Sequence, residues 1–197
     1  MKFTQREIFE LLKAGVLISL AFSILFYADV STMFSQEFAI YFIISLFTVG
    51  IGFLFHELMH KSVAQRYGLS AEFKASDQML FLALFMSFFG FIIAAPGAVM
   101  IKGLRISRSK NGKISLAGPL ANIALALIFL ISLFLIPAEG ILLLTLSLGL
   151  KINSLLAAFN LLPVPGIDGK KVYDWDKAVY FVIMILAVSL FVGSFFI

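Results

Sequence analysis

The sequence predicts an all-α polytopic membrane protein with five to six transmembrane helices and a small β element or re-entrant segment. Three observations predict it. Of the 197 residues 61% are hydrophobic and only 13% charged, about half the charged fraction of a soluble domain, with a mean hydropathy of +1.06. The apolar residues, 23 Phe among them, fall in stretches of about 20, the length that crosses a bilayer. Lys and Arg gather between those stretches in a pattern that assigns sides. A soluble or disordered chain of this composition is excluded, because polar groups could not cover its apolar surface in water.

The elements follow in order. The uncharged run between Lys13 and Asp29, extended by Leu11, Leu12 and Val30, is a first span. Glu7 and Glu10 in its flank, with no A-x-A site after it, argue against a cleaved signal peptide. Phe38 to Phe55 is a second apolar run and leads directly into His56-Glu57-Leu58-Met59-His60. Gln78 to Ile101 is a third, Ile114 to Ala138 a fourth, and Gly140 to Leu162 a fifth, broken once by Lys151. Ala178 to Ile197 is the last.

If the third stretch enters and leaves on one side, every Lys and Arg except Lys151 becomes cytoplasmic. Ala95-Pro96-Gly97 interrupts that stretch, and non-helical backbone is tolerated where protein or a wet cavity receives it. Five full spans plus a re-entrant segment is therefore favoured, with six full spans as the alternative. The N-terminus is then cytoplasmic and the C-terminus outside. Lys110-Asn111-Gly112-Lys113 carries the Asn-Gly signal of a type I′ hairpin, which predicts a small β element between the third and fourth stretches. The whole chain, 1–197, reads as one integral membrane domain. The net charge of +4 follows the topology pattern, so it points to a lipid bilayer and not to nucleic acid.

No Cys is present, which excludes disulfides and thiol chemistry. The only two His are His56 and His60. Four apart on a helix, they share a face and can reach one metal ion, with Glu57 beside the first of them addressing its bound water. Such groups at the end of an apolar run are costly in lipid unless they face a functional cavity. The alternative is a pair of capping or core histidines.

A catalytic zinc takes three protein ligands as a rule, so a carboxylate must complete the set. Glu37 and Glu139 fall on the opposite side, while Glu72, Asp77, Asp174 and Asp176 lie in exposed loops. Asp168 stands out, level with the His pair in Asn160-Leu161-Leu162-Pro163-Val164-Pro165-Gly166-Ile167-Asp168-Gly169. The prolines end the helix and let a carboxylate turn inward, and Gly169 allows an unusual backbone angle. The same residues also read as an ordinary exposed turn.

Three motifs in order resemble the site-2 protease family of intramembrane zinc metalloproteases. They are His56-Glu57-x-x-His60, then Gly118-Pro119-Leu120-Ala121-Asn122, then Asn160-Leu161-Leu162-Pro163…Asp168-Gly169, within a motif core of 38–169. The resemblance implies one Zn2+ per chain held by His56, His60 and Asp168, with Glu57 as catalytic base and Asn122 and Asn160 around the site. It implies an endopeptidase that cleaves within or next to transmembrane segments of membrane protein substrates, its site toward the cytoplasm. The chain lacks the PDZ and CBS additions of many relatives.

In the implied mechanism, zinc-bound water attacks the scissile carbonyl while Glu57 moves the proton. Asn122 is a candidate oxyanion donor, or else an interhelical hydrogen bond behind a close Gly118 contact. The substrate must be extended at the cut, and Pro96 to Ile101 reads as a strand whose edge could hold it, or as a plain loop. Lys151, in mid-membrane, shares its segment with Asn153, Ser154 and Asn160; a relay or substrate contact and a packed or snorkelling lysine both fit, and no role is assigned. Trp175 and Tyr173 fit an interfacial belt.

Two other readings compete. A prenyl-protein processing protease needs a glutamate as third ligand, for which Glu72 is the candidate. A metal transporter leaves Glu57 without a task and shows no repeated halves. Serine and aspartyl intramembrane proteases lack their His or second Asp.

Overall fold

The computed structural model describes residues 1–27, 33, 35–92, 96–103 and 106–197. The connection expected after Asp29, Ala95 of the predicted interruption, and Arg105 fall outside the described residues. The chain runs through α1 (Gln5–Tyr27), α2 (Gln36–Ser45), a π-helical turn (Leu46–Gly50) and α3 (Ile51–Arg66). After these come β1 (Ser70–Ala75), α4 (Asp77–Ser87), β2 (Gly97–Lys102), α5 (Arg108–Leu135), α6 (Gly140–Asn160), α7 (Asp168–Trp175) and α8 (Lys177–Gly193).

Among the described residues four helical segments are long and apolar enough to cross a membrane: Gln5–Tyr27, Gln36–Arg66, Arg108–Leu135 and Gly140–Asn160. The second joins α2, the π-helical turn and α3 into one rod. Helix α8, with 17 residues, rises about 25 Å, at the lower end of spanning length. The architecture is that of a multi-pass membrane protein with a small β element.

The stretch 78–101 does not form a spanning helix. Ser76 caps α4, accepting from Met79 N–H, and α4 stops after 11 residues. The chain then returns, and Ser76 N–H donates to the Pro96 carbonyl at 2.9 Å. The two ends of the segment are thus side by side. This is the arrangement expected of a re-entrant segment, and among the described residues of this stretch no helix of spanning length forms.

Beyond that bond the chain pairs β1 with β2, antiparallel, from Ala75 opposite Gly97 to Ser70 opposite Lys102. The strand expected at Pro96 to Ile101 is therefore present as β2. The hairpin expected at Asn111-Gly112 is not: both residues lie in the first turns of α5. Ser107 caps that helix by accepting from Lys110 N–H at 3.3 Å, and Gly112 packs flat against Trp175. A cap and a tertiary contact outweigh the local turn preference.

Helix α5 packs against α3, α6 and α7 and is the centre of the bundle. On its other side α3 meets α1 and the strands through Phe22, Val49, Phe53 and Phe73. Small residues at these crossings, Ala14, Ser19 and Ala21 among them, are fully buried and let backbones approach, which drives helix association where lipid is as apolar as the side chains. Lys151, half-buried on α6, holds its Nζ 4.4 Å from the Phe195 ring centroid.

Candidate active site

Helix α3 carries both histidines on one face, toward α5. His56 Nδ1–H donates to Asn122 Oδ1 at 2.6 Å, and His60 Nδ1–H donates to the Ile114 carbonyl at 2.8 Å. Each bond places the ring proton on Nδ1, so both Nε2 lone pairs are free and converge. The two Nε2 atoms are 3.0 Å apart.

Asp168 closes the triangle from α7. Its Oδ2 lies 2.9 Å from His60 Nε2 and 3.5 Å from His56 Nε2. Bonds of about 2.0–2.1 Å to a tetrahedral zinc put neighbouring ligand atoms about 3.3 Å apart, and the three observed separations bracket that figure. Among the described residues His56, His60 and Asp168 are the group that can hold a metal.

The chain reaches Asp168 by a loop in which Gly166 takes φ +93°, open to glycine without strain. Gly169 is not the residue with the unusual angle. It is needed for close approach, because a Cβ there would lie 2.0 Å from the Leu161 carbonyl oxygen. On α5, Gly118 makes room for the imidazoles: a Cβ would meet His60 Nε2 at 2.4 Å and His56 Nε2 at 2.6 Å.

Glu57 is buried beside this triangle, and its Oε2 finds no hydrogen-bond partner among the described residues. A buried carboxylate oxygen left unpaired is costly, and a water held at the metal position would satisfy it. The donor chemistry, the separations and this orphaned oxygen all fit zinc.

Asn122 Nδ2 donates to the Gly52 carbonyl at 3.1 Å and to Asn153 Oδ1 at 3.2 Å. Both amide hydrogens are engaged away from the metal position, so the geometry matches the interhelical bond and not the oxyanion donor. Asn160 lines the cavity, with Nδ2 donating to Leu156 O in its own helix at 2.9 Å. The other acidic candidates have different partners. Glu72 accepts from Thr4 Oγ1 at 3.3 Å, Asp77 pairs with Lys13 at 2.7 Å, Asp174 pairs with Lys170 and Asp176 caps α8.

A cavity of about 480 Å³ opens on this centre. Its wall is mostly apolar, with Phe22 from α1, Val49 from the π-helical turn, Phe53 from α3 and Leu155 and Phe159 from α6. Strand β2 forms another side. The Ser76–Pro96 bond sets the phase of the ladder: alternate residues from Ala98 turn their amides to β1, while Gly97, Val99 and Ile101 turn theirs outward. The Val99 amide accordingly faces the Glu57 carboxyl. The far edge of β1 is closed, because Phe73 N–H donates to Glu7 Oε1 at 2.9 Å.

Glu7 also pairs with Lys61, both about 1% exposed. Neither this pair nor the role of Asn153 is predicted from sequence. The available signal was ionisable or amide side chains set among apolar helix residues.

The matched family model is Peptidase family M50, over residues 41–145, which takes in His56, Glu57, His60 and Asn122. Two relatives carry the name "Putative zinc metalloprotease". One, from Methanocaldococcus jannaschii, is 43% identical over 92% of this chain and 91% of its own length. The other, from Bacillus subtilis, is 29% identical over 64% of this chain and 66% of its own. No solved structure matches.

Proposed function

The chain belongs to peptidase family M50, the site-2 protease family of zinc metalloproteases, and from that premise we propose that it hydrolyses peptide bonds within or next to transmembrane segments of other membrane proteins. The observation that carries the proposal is the cavity itself. An apolar wall, an outward-facing strand edge, a metal triad and an orphaned carboxylate meet at the end of membrane-spanning helices.

His56, His60 and Asp168 would hold one zinc ion, which would supply Lewis acidity toward a carbonyl and a water of lowered pKa. Asn122 and the Ile114 carbonyl hold the imidazoles with Nε2 toward the ion, as partners of ligating histidines do. Glu57 takes a proton from the attacking water on its free Oε2 and returns it to the leaving amine. A helical substrate hides its carbonyls in hydrogen bonds, so the cut segment is extended. Laid along the outer edge of β2, it gains main-chain bonds at Gly97 and Ile101 and passes Glu57. Side chains from the membrane-embedded part enter the apolar reach of the cavity. Lys102, Arg108, Lys110, Lys113 and Lys170 lie near this end in sequence, which favours the cytoplasmic side.

The test is metal analysis of detergent-purified wild type beside Asp168→Ala and Glu72→Ala. One zinc per chain, kept in Glu72→Ala and lost in Asp168→Ala, is expected. Zinc kept without Asp168 and lost without Glu72 would instead favour the prenyl-processing reading. No stoichiometric metal in the wild type would overturn both.

A further inference from the structure

We propose that Asn153 is a positioning residue for the metal centre, acting through Asn122 to fix which nitrogen of His56 carries the proton. The inference rests on the metalloprotease reading and extends it to a residue outside all three motifs.

Asn153 is fully buried in the middle of a membrane-spanning helix, where an unsatisfied amide is expensive. Every polar atom on it has a named partner. Its Nδ2 donates to the Gly149 carbonyl of its own helix at 2.9 Å and to the Thr48 carbonyl at 3.3 Å. Thr48 lies in the π-helical turn that leads into α3. Its Oδ1 accepts from Asn122 Nδ2 at 3.2 Å.

Two main-chain acceptors on one end of the amide fix its orientation, because a flipped Asn153 would set its oxygen against two carbonyl oxygens. The Asn153 oxygen therefore faces Asn122. Asn122 in turn must direct its NH2 to Asn153 Oδ1 and the Gly52 carbonyl, which leaves its own oxygen for His56 Nδ1. An acceptor at that place demands a proton on Nδ1 and leaves the Nε2 lone pair to point at His60 and Asp168. The reverse amide orientation would offer N–H to Nδ1 and favour the tautomer whose Nε2 is protonated and cannot ligate. The relay is closely fitted: a Cβ on Gly52 would lie 2.3 Å from Asn153 Oδ1 and 3.4 Å from Asn122 Nδ2.

The competing explanation is an interhelical hydrogen bond that serves packing alone. A double-mutant cycle separates the two. Zinc affinity is measured by chelator competition, and melting temperature on the metal-free protein. The samples are wild type, Asn153→Leu, Asn153→Asp, Asn122→Leu and the double Leu variant. The relay predicts zinc affinity about 10- to 100-fold weaker in Asn153→Leu. Asn153→Asp, which keeps an acceptor toward Asn122, is expected to bind zinc close to wild type even where its buried acid lowers the melting temperature. The double variant is expected to be no weaker than Asn122→Leu alone. Should Asn153→Leu not fold, Asn153→Ala and Asn153→Ser carry the same comparison. Wild-type zinc affinity in the folded variants, or a double loss equal to the product of the single losses, would overturn the relay. A wild type that binds no zinc would overturn the metalloprotease reading instead.

Discussion

Replacing Gly118 by Ala adds one methyl group to the wall of the metal site, and its consequence can be worked from the distances. The new carbon would stand 2.4 Å from His60 Nε2, 2.6 Å from His56 Nε2 and 2.6 Å from His60 Cε1. An ordinary contact there is about 3.5 Å, so the rings must withdraw by about 1 Å or α5 must retreat as far. Neither ring swings freely, since His56 is held by Asn122 and His60 by the Ile114 carbonyl. A functional constellation tolerates about 0.5 Å of misplacement. Zinc affinity should therefore fall about 10- to 100-fold and turnover on a membrane-segment reporter about 100-fold. Stability moves much less. Ala gains about 0.8–1.0 kcal/mol over Gly in a helix against about 1–3 kcal/mol for overpacking. Chelator competition, reporter cleavage and the melting temperature of metal-free protein give the three quantities. A folded Gly118→Ala protein with wild-type zinc affinity and turnover would refute the convergence of the imidazoles on this glycine.

Two further outcomes follow from buried carboxylates. Glu57→Gln should lower cleavage at least about 100-fold while one zinc per chain remains; loss of zinc would make Glu57 a ligand, and retained activity would remove it as the base. Glu7→Ala leaves the Lys61 ammonium buried without its partner and should cost about 3–5 kcal/mol in detergent unfolding, most of it recovered in Glu7→Met with Lys61→Met. A cost within experimental error for Glu7→Ala would mean that the pair is not buried in the folded protein.

The spans and the histidine pair were legible in the sequence because each rests on local spacing. Uncharged length marks a crossing, and residues 56 and 60 share a helix face whatever surrounds them. Residues 78–101 needed a second signal: uncharged length alone suits a crossing, whereas the basic residues on both flanks and the Ala95-Pro96-Gly97 interruption favour return, and Ser76 and Pro96, twenty positions apart, do meet in one hydrogen bond. Asn111-Gly112 failed, its local preference overridden by the Ser107 cap and the face of Trp175. Asp168 already stood out from the other acids by its place level with the histidine pair and by its motif, and the fold brings it within 2.9 Å of His60. Asn153 carried a signal, an amide in a spanning helix, but no partner could be named before α6 was laid against α5 and the π-helical turn.

What the site requires above all is a metal helix that cannot slide or rotate, and α3 is pinned at successive heights by groups from three neighbours. Asn153 and Asn122 take the carbonyls of Thr48 and Gly52. The Ile114 carbonyl takes His60, and Glu7 takes Lys61, the next residue. Glu7 does a second thing with the same carboxylate, since its other oxygen accepts from Phe73 N–H. A buried ion pair is a poor source of stability compared with apolar packing, so its presence here needs a reason other than strength. Joining β1 to α3 supplies one. The sheet is held at a fixed distance from the histidines, its β1 edge is closed, and the β2 edge that faces Glu57 is left as the place where an extended chain can pair. A variant that keeps the fold but frees β1 from Glu7 should therefore raise the KM for a peptide substrate more than it lowers kcat.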